Sequence, residues 1–315
     1  MSDDVEELPG GILQIDTWTA GVSRVTAGFL IQAPRPTLIE CGPSLTIDRV
    51  IDTLARVGLD PDDLAHLVVS HIHLDHAGGA GDIARAFGSA TIVVSDIGAR
   101  HLVDPSRLNA SSRRVYGDLM DAVYGDCTPI DAERITGVDE RARLDLGGGR
   151  ALDVFATPGH AKHHISALDS DTGALFVGDS VGVRTPGTGP LRPATPPPDF
   201  DLEQAQTTLR RYRELDPQRV YLAHYGAIDP PQDSLVEASE RLAAWAEAAR
   251  DAVAEHDELD HVADTLARRF AADIAIPPDD HDAERRVKIL GGFRMNAMGL
   301  LRYWRKRFEV ESVEE

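Results

Sequence analysis

The stretch that decides the fold reads Ser70-His71-Ile72-His73-Leu74-Asp75-His76, followed by Ala77-Gly78-Gly79. It comes directly after the apolar run Leu67–Val69, which predicts a strand. Four side chains of metal-ligand type occur within six positions, and two imidazoles separated by one residue can point the same way. The two glycines let the backbone turn tightly behind them. A solvated polar loop is the alternative, and so dense a set of ligands at a strand exit argues against it.

Three later strand ends supply further ligands. His160 closes the turn Thr157–His160, Asp179 follows the run Phe176–Gly178, and His224 follows the predicted strand Arg219–Leu222. Open sheets place their sites beyond the carboxyl ends of the strands, so we expect these side chains to meet the first motif. Together the sequence nominates five histidines and two aspartates.

Short apolar runs alternate with helical stretches up to about residue 230, which predicts an α/β layered domain. The predicted strands are Ile12–Trp18, Gly28–Gln32, Thr37–Glu40, His66–Ser70, Ala90–Val94, Ala151–Ala156, Ile165–Asp169, Ala174–Val177 and Arg219–Leu222. The predicted helices are Leu45–Val57, Gly81–Phe87, Asp96–Leu102, Arg114–Tyr124 and Leu202–Leu215. The proline-rich segment Arg184–Phe200 predicts a stiff loop.

Beyond Pro230–Pro231 the composition shifts to alanine and charge at helical spacing. We predict a helix from there, a second at His261–Ala272 and a last one at about Ala283–Phe308. The chain is therefore divided into a metal-binding domain, residues 1–230, and a C-terminal helical extension, residues 231–315.

Net charge and cysteine content narrow the possible binding partners and the expected cellular location. The formal charge is −20, which disfavours nucleic acid and anionic lipid as binding partners. No run of 18 apolar residues occurs, and the acidic start of the chain is unlike a signal peptide. With only two cysteines, we expect a cytoplasmic protein without disulfides.

The pattern H-x-H-x-D-H, followed by a later histidine, aspartate and histidine, resembles the metallo-β-lactamase fold superfamily of metallo-hydrolases. The resemblance runs through about residues 12–230 with every ligand present in order. It implies a four-layer αβ/βα sandwich with two metals at one edge of its sheets. It also implies that one metal is held by His71, His73 and His160, and the other by Asp75, His76 and His224, with Asp179 bridging.

Imidazole and carboxylate ligands suit two divalent ions, for which we expect zinc, although iron or manganese fits the same set. Two such ions lower the pKa of a shared water, so a bridging hydroxide is the expected nucleophile. Asp75 is the expected catalytic residue, which takes or relays a proton in addition to ligation.

The bridging aspartate resembles glyoxalase II-like thioesterases and acyl-homoserine lactonases, whereas true β-lactamases lack it. Flavodiiron proteins carry glutamate where this chain has His73, and nuclease branches carry inserted domains or basic arms. Persulfide dioxygenases share the opening motif, so the metal has to be measured. Glu40 stands where the family usually has aspartate, which leaves its role open.

Several residues carry weaker hypotheses. His164 matches a histidine often found after the T-P-G-H turn, and for it and His163 a supporting role is favoured over ligation. Tyr225 either polarises a substrate carbonyl or is an ordinary half-buried tyrosine. Cys41 is interpreted as a small buried hydrophobe.

Two longer regions are expected to shape substrate binding. The insert Asp96–Glu140 and the proline-rich loop are predicted to wall a substrate channel. The last helix carries eight basic and no acidic residues between Arg285 and Arg307. It is either a site for an anionic thioester carrier, such as glutathione or coenzyme A, or a solvated face paired with acidic neighbours.

The sequence therefore predicts a dinuclear metal-dependent hydrolase that cleaves a small-molecule acyl substrate, most plausibly a thioester. A lactonase of the same fold is the alternative within hydrolases. A non-catalytic metal- or ligand-binding regulatory protein is the alternative outside them. A homodimer is the assembly we allow for.

Overall fold

Two β-sheets packed face to face form the centre of the molecule in the computed structural model, which describes residues 4–314 and, of these, the side chains of 4–310. The strands are β1 (Val5–Leu8), β2 (Ile12–Asp16), β3 (Ala27–Ile31), β4 (Thr37–Ile39), β5 (His66–Val68), β6 (Thr91–Ser95), β7 (Ile135–Val138), β8 (Arg141–Gly147), β9 (Arg150–Ala156), β10 (Ile165–Asp169), β11 (Ala174–Phe176), β12 (Arg219–Leu222) and β13 (Gly226–Ile228).

Helices cover the outer faces of both sheets. They are α1 (Ile47–Arg56), α2 (Leu74–Ala77), α3 (Ala80–Ala86), α4 (Asp96–Val103), α5 (Ser106–Tyr116), α6 (Leu202–Leu215), α7 (Pro231–Glu255), α8 (Leu259–Arg269), α9 (His281–Ile289) and α10 (Gly292–Glu314). Within residues 4–314 no helix combines the length and the apolarity that a membrane span requires.

The sheets differ in topology. In the first, β1 to β7 lie in chain order, antiparallel as far as β4 and parallel from β4 to β7. In the second, the order is β13-β12-β11-β10-β9-β8, and only the pair β11–β12 is parallel among the described strands. Parallel pairing aligns the carboxyl ends of β4, β5 and β6 in one sheet and of β11 and β12 in the other.

Three apolar clusters separate four layers. Between the sheets, Phe29 contacts Phe176 and Tyr221 at ring-centroid distances of 5.2 and 5.5 Å. One outer cluster joins the first sheet to α1 and α3, and the other joins the second sheet to α6, α7, α8 and α10. The expected four-layer sandwich with a C-terminal helical extension is confirmed. The division into domains at residue 230 stays a prediction, because α7, α8 and α10 share their apolar cluster with the second sheet.

Two predicted helices are wrong in their bounds. The helix predicted at Arg114–Tyr124 is α5, which ends at Tyr116 before Gly117 (φ 55°), and a short π-helix, Met120–Tyr124, follows it. The single helix predicted at Ala283–Phe308 is two helices, α9 and α10. They are separated at Gly291 and Gly292, whose φ values of 77° and 47° are left-handed and so interrupt a right-handed helix.

Candidate metal centre

The motif that follows β5 folds into a tight turn and the single-turn helix α2. His73 lies just before α2, while Asp75 and His76 lie on it. Gly78 allows this close packing, because a Cβ atom there would lie 2.3 Å from the carbonyl oxygen of Leu74. The turn therefore directs the histidine and aspartate side chains of the motif into one small volume.

The second sheet brings the remaining ligand candidates to the same place. His160 lies in the loop between β9 and β10, Asp179 comes after β11 and His224 comes after β12. All three are buried. The structure therefore assembles the seven nominated side chains, which sequence separates by more than 150 positions, at one edge of the two sheets.

His71, His73 and His160 form one cluster, which we call the histidine group; their ring nitrogens lie within 4.8 Å of one another. His71 Nε2 lies 2.7 Å from His73 Nδ1, and His160 Nε2 lies 3.2 Å from the same atom. Three inward-facing imidazole nitrogens at such spacing offer lone pairs to a shared cation.

Asp75, His76 and His224 form a second cluster, which we call the mixed group, also within 4.8 Å. His224 Nε2 lies 3.2 Å from His76 Nε2. Asp75 Oδ2 lies 3.3 Å from His224 Nε2 and 3.6 Å from His76 Nε2. Two nitrogens and a carboxylate oxygen are a ligand set suited to a divalent transition metal.

Asp179 stands between the two groups. Its Oδ2 atom lies 3.6 Å from His160 Nε2, while Oδ1 lies 3.4 Å from His76 Nε2 and 3.5 Å from His224 Nε2. Buried Oδ1 has no hydrogen-bond partner within the described residues. A buried carboxylate oxygen left in this state is costly unless a cation satisfies it, so the donor set fits a pair of divalent ions.

Most of the imidazoles are anchored through their other ring nitrogen. His160 Nδ1 lies 3.0 Å from the carbonyl oxygen of Ala194, and His224 Nδ1 lies 2.6 Å from that of Val25. His71 Nδ1 lies 2.9 Å from Ser70 Oγ. Such contacts fix the tautomer and the ring orientation, which leaves Nε2 free for ligation.

Glu40, whose role the sequence left open, lies behind His76. Its Oε1 atom faces His76 Nδ1 at 3.4 Å, and Oε2 accepts the backbone N–H of Ser70 at 3.2 Å. The side chain is buried, and φ at Glu40 is 60°, the left-handed region that non-glycine residues seldom adopt. The position thus orients the mixed group from outside the ligand set.

The two groups differ in their protonation. Burial and the neighbouring imidazole of His76 lower the pKa of His71 well below its usual value. Burial also opposes charge on His76, yet the carboxylates of Asp179 and Asp75 raise its pKa well above the usual value. The histidine group is therefore neutral, as ligation requires, whereas the carboxylates around His76 and His224 favour positive charge at the mixed group.

His164 supports the site without facing it. Its Nδ1 atom lies 2.9 Å from Thr157 Oγ1, and Nε2 accepts the backbone N–H of Asp179 at 3.3 Å. His163 instead approaches the backbone N–H of Ile72, at 3.5 Å. Both contacts agree with the supporting roles favoured from sequence.

A match to a known protein family covers the part of the chain that contains these ligand candidates. The profile described as "Metallo-beta-lactamase superfamily" matches residues 21–224, a span that contains both ligand groups and Asp179. The chain belongs to the metallo-beta-lactamase superfamily. Metal-dependent hydrolysis is the characteristic reaction of this superfamily, and membership does not identify the bond that this chain cleaves.

Individual relatives agree with membership in this superfamily. The metallo-beta-lactamase fold-containing protein ST1585 of Sulfurisphaera tokodaii is 32% identical over 197 residues, 61% of this chain and 73% of that protein. An N-acyl homoserine lactonase of Bacillus thuringiensis is 49% identical over 47 residues, which cover 15% of this chain and only 17% of the lactonase. The second likeness is therefore local.

Solved superfamily structures show the same fold. The structure of the archaeal protein ST1585 from Sulfolobus tokodaii matches with a TM-score of 0.66 at 23% identity, covering 94% of this chain and 98% of that one. A metallo-beta-lactamase family protein from Thermus thermophilus matches with a TM-score of 0.61 at 19% identity, covering 90% and 89%. The first match is long enough to include much of the helical extension.

A cleft of about 560 Å³ opens above both ligand groups, and we call it the site cleft. Tyr116 and Tyr124 line it from the insert, and Pro193 and Pro196 line it from the proline-rich loop. The helical extension contributes the remaining wall through Ile289, Leu290, Gly291, Met295 and Asn296. Both predicted channel regions thus reach the cleft, and so does the junction of α9 with α10.

Tyr225 does not line the site cleft, contrary to the hypothesis that it polarises a substrate carbonyl. It borders two other cavities, near Gln14, and Arg24 lies over its ring at 5.8 Å. Tyr116 and Tyr124 line the site cleft, where Tyr225 was expected. Sequence reasoning passed over them because they lie in the insert, where no ligand motif is near.

Cys41 is fully buried and donates its thiol hydrogen to the carbonyl oxygen of His76 at 3.2 Å. Burial raises the pKa of this thiol well above its usual value. The residue is therefore a packing group, as interpreted from sequence.

Arg192 is a polar feature of the cleft wall that the sequence did not reveal. It is 2% exposed, its Nη1 donates to Thr185 Oγ1 at 2.8 Å, and its Nη2 has no hydrogen-bond partner within the described residues. Burial lowers its pKa to about 10. A lone arginine in a proline-rich loop has no pattern that predicts such burial.

Proposed function

We propose that the protein is a dinuclear metal-dependent hydrolase that cleaves an acyl bond, and that the bond is a thioester. The observation that carries the dinuclear proposal is Asp179, whose two carboxylate oxygens face different ligand groups. The proposed ligands are His71, His73 and His160 for one ion and Asp75, His76 and His224 for the other, with Asp179 shared.

Zinc is the proposed metal, and iron or manganese is the alternative that the same ligands accept. When bound, two such ions supply Lewis acidity and lower the pKa of a shared water toward neutrality. The chain supplies the positioning: anchored imidazoles fix where the ions lie, and the shared carboxylate fixes their separation.

Two further groups act on the substrate in this proposal. Asp75 Oδ2 lies within 3.6 Å of both His76 and His224, so its carboxylate is placed to hold or relay a proton beside the reacting bond. Burial, and then the charges of Asp75 and Asp179, raise the pKa of Tyr116, so its phenol stays protonated. We propose that this hydroxyl donates a hydrogen bond to the substrate carbonyl oxygen.

The helical extension supports the choice of a thioester. Its residues line the site cleft between Ile289 and Asn296, so a substrate bound at the ligand groups contacts the extension. Thioesters join two long groups, an acyl chain and a carrier, so an additional wall beside the reacting centre suits them better than it suits a compact cyclic ester.

A lactone is the second candidate. The local 49% identity to an N-acyl homoserine lactonase supports it, although the match covers 17% of that enzyme. Both reactions need the same attack on an acyl carbon and differ in the leaving group.

The partners remain those expected from sequence. We propose a small-molecule acyl substrate, no nucleic-acid or membrane partner because of the charge of −20, a cytoplasmic location, and a homodimer as the assembly to test by light scattering.

One experiment tests the proposed function directly. Protein purified without added metal would be analysed for bound elements and then assayed with thioester, lactone and phosphodiester substrates, the first two with matched acyl chains. We expect two ions per chain and the highest kcat/KM on thioesters. Activity on lactones alone would remove the thioester assignment, and two ions without turnover of any substrate would favour a regulatory protein.

The tyrosines offer a sharper test of substrate contact. We expect Tyr116→Phe to lower kcat/KM about tenfold, the effect of one lost hydrogen bond to the reacting carbonyl, with metal content unchanged. Tyr225→Phe is the matched control and should leave kcat/KM unchanged. Equal effects of the two substitutions would remove Tyr116 from the proposal.

A further inference from the structure

A second, larger cavity adjoins the site cleft on the side of the insert. This cavity, which we call the side groove, lies between α4, α5 and the proline-rich loop and spans about 1670 Å³, including the open solvent at its mouth. His73 and Tyr116 line both cavities. The side groove and the site cleft therefore meet at these two side chains.

The floor of the side groove is apolar. Ile72 and Leu74 line it beside the metal-binding motif, and Leu108 lines it from α5. Ile97 and Val115 also line it, and they are 43% and 55% exposed. Large apolar side chains exposed together in a concave surface mark a binding site more often than a bare surface.

Cations surround this floor. Arg100, Arg107 and Arg114 line the side groove, are exposed, and form no ion pair within the described residues. Lys162 also lines it and pairs with Asp199, the acidic residue of the lining, at 2.9 Å. In a chain of charge −20, three unpaired guanidinium groups around one cavity favour an anionic ligand.

The basic residues of α9 and α10 are in a different state. Three of them pair with carboxylates of other elements: Arg294 with Asp260, Arg305 with Asp257, and Arg307 with Glu203. Arg286 is buried and donates to the carbonyl oxygen of Ser23 at 2.8 Å. Of the two hypotheses for this region, the contacts favour a face paired with acidic neighbours.

We propose that the side groove binds the carrier of the thioester substrate, an extended uncharged arm that ends in phosphate groups. Arg107 and Arg114 hold the phosphates, the arm lies on the apolar floor, and the acyl carbon reaches the ligand groups past His73 and Tyr116. This inference rests on the proposed thioester hydrolysis and names its substrate class, the acyl thioesters of a phosphorylated carrier.

Matched thioesters test this assignment. Octanoyl-coenzyme A carries phosphates, whereas the octanoyl thioester of N-acetylcysteamine has the same acyl group and no charge. With the metal-loaded enzyme, we expect Arg107→Gln/Arg114→Gln to raise KM for the coenzyme A thioester at least tenfold with little change in kcat. KM for the neutral thioester should not change.

The control removes the same charge elsewhere. Arg268 and Arg269 are exposed on α8, away from both cavities, so Arg268→Gln/Arg269→Gln should leave both KM values as in the wild type. An equal rise of KM in the control double variant, or an equal rise for both substrates, would overturn the proposal. A lower KM for octanoyl-glutathione than for the coenzyme A thioester would overturn the phosphate assignment.

Binding without turnover gives an independent measurement. Desulfo-coenzyme A lacks the thiol that could ligate a metal, and its dissociation constant with the metal-loaded protein can be measured by calorimetry. We expect the Arg107→Gln/Arg114→Gln protein to bind it at least tenfold more weakly. If the wild type hydrolyses neither thioester, the proposed function fails, and the calorimetric comparison still decides whether the side groove binds a phosphorylated arm.

Discussion

The two ligand groups are built from similar side chains but are stabilised in different ways. The histidine group holds neutral imidazoles whose pKa values are lowered by burial. The mixed group holds two histidines against carboxylates, with Glu40 behind them. Burial therefore keeps the histidines of the first group neutral, whereas nearby carboxylates favour the charged form of the histidines in the second group. We expect the two to respond differently to substitutions that change charge without changing shape.

We expect the largest loss of metal and activity from a substitution of Asp179, the residue that faces both ligand groups. Asp179→Asn keeps the shape of the side chain and removes the charge that both groups face. We expect elemental analysis to show one metal ion or fewer per chain, and hydrolysis to be lost. Retention of two ions with full activity would mean that Asp179 does not bridge.

Gly178 directly precedes Asp179, so a substitution at Gly178 tests through the backbone how Asp179 is positioned. Its φ is 50°, and a Cβ atom there would lie 2.5 Å from Ser70 Oγ and 2.7 Å from His164 Nε2. Gly178→Ala should therefore displace Asp179, reduce metal content and destabilise the fold by about 1–3 kcal/mol in denaturant unfolding.

Gly88→Ala is the matched control, because no atom lies within 4 Å of a Cβ there and its φ is not left-handed. It should change neither metal content nor stability by a comparable amount. If Gly178→Ala behaves like the control, the close packing around Asp179 does not position it.

Two substitutions behind the ligand groups should have smaller effects, each on a different metal equivalent. Glu40→Gln removes the charge that faces His76 and keeps the contact to Ser70, so it should weaken one of two metal equivalents about 10- to 100-fold. Ser70→Ala removes the contact to His71 Nδ1 and should weaken the other equivalent by less. Competition with a chelator would resolve the two equivalents, and identical titration curves for the two variants would contradict the distinction.

The ligand set could be predicted from sequence because each ligand follows a strand, and strand ends meet at one edge of a sheet. The strands Ile165–Asp169 and Arg219–Leu222 and the helix Leu202–Leu215 have the predicted bounds. That these side chains bind metal stays a prediction until ions are measured.

The missed strand β8 carries a period-two alternation, in which Arg141, Arg143 and Asp145 alternate with Ala142, Leu144 and Leu146. In β8, Arg141 and Arg143 alternate with less polar residues and pair with Asp153 of β9, at 3.0 and 2.6 Å. These ion pairs lie on the polar face of β8 and join it to β9. The alternation in β8 could therefore have predicted a strand, whereas the ion pairs depend on the fold.

The walls of the cavities could be predicted only as regions. Nothing in the sequence distinguishes Tyr116, which lines the site cleft, from Tyr225, which is the neighbour of a ligand in sequence yet lines other cavities. Likewise, whether an arginine is paired depends on which acidic residue lies opposite it in the fold, as Arg305 and Asp257 show. Such pairing arises from tertiary packing and leaves no local pattern.

The position of the α9–α10 junction late in the chain has a consequence for the synthesis of the protein and for its variation in evolution. All seven ligand candidates precede residue 225, whereas Ile289–Gly291 and the start of α10 close one side of the cavity above them. A ribosome that has completed the first three quarters of the chain has made every ligand candidate but not the α9–α10 wall of the site cleft. Changes late in the gene can thus alter this wall without altering any ligand candidate.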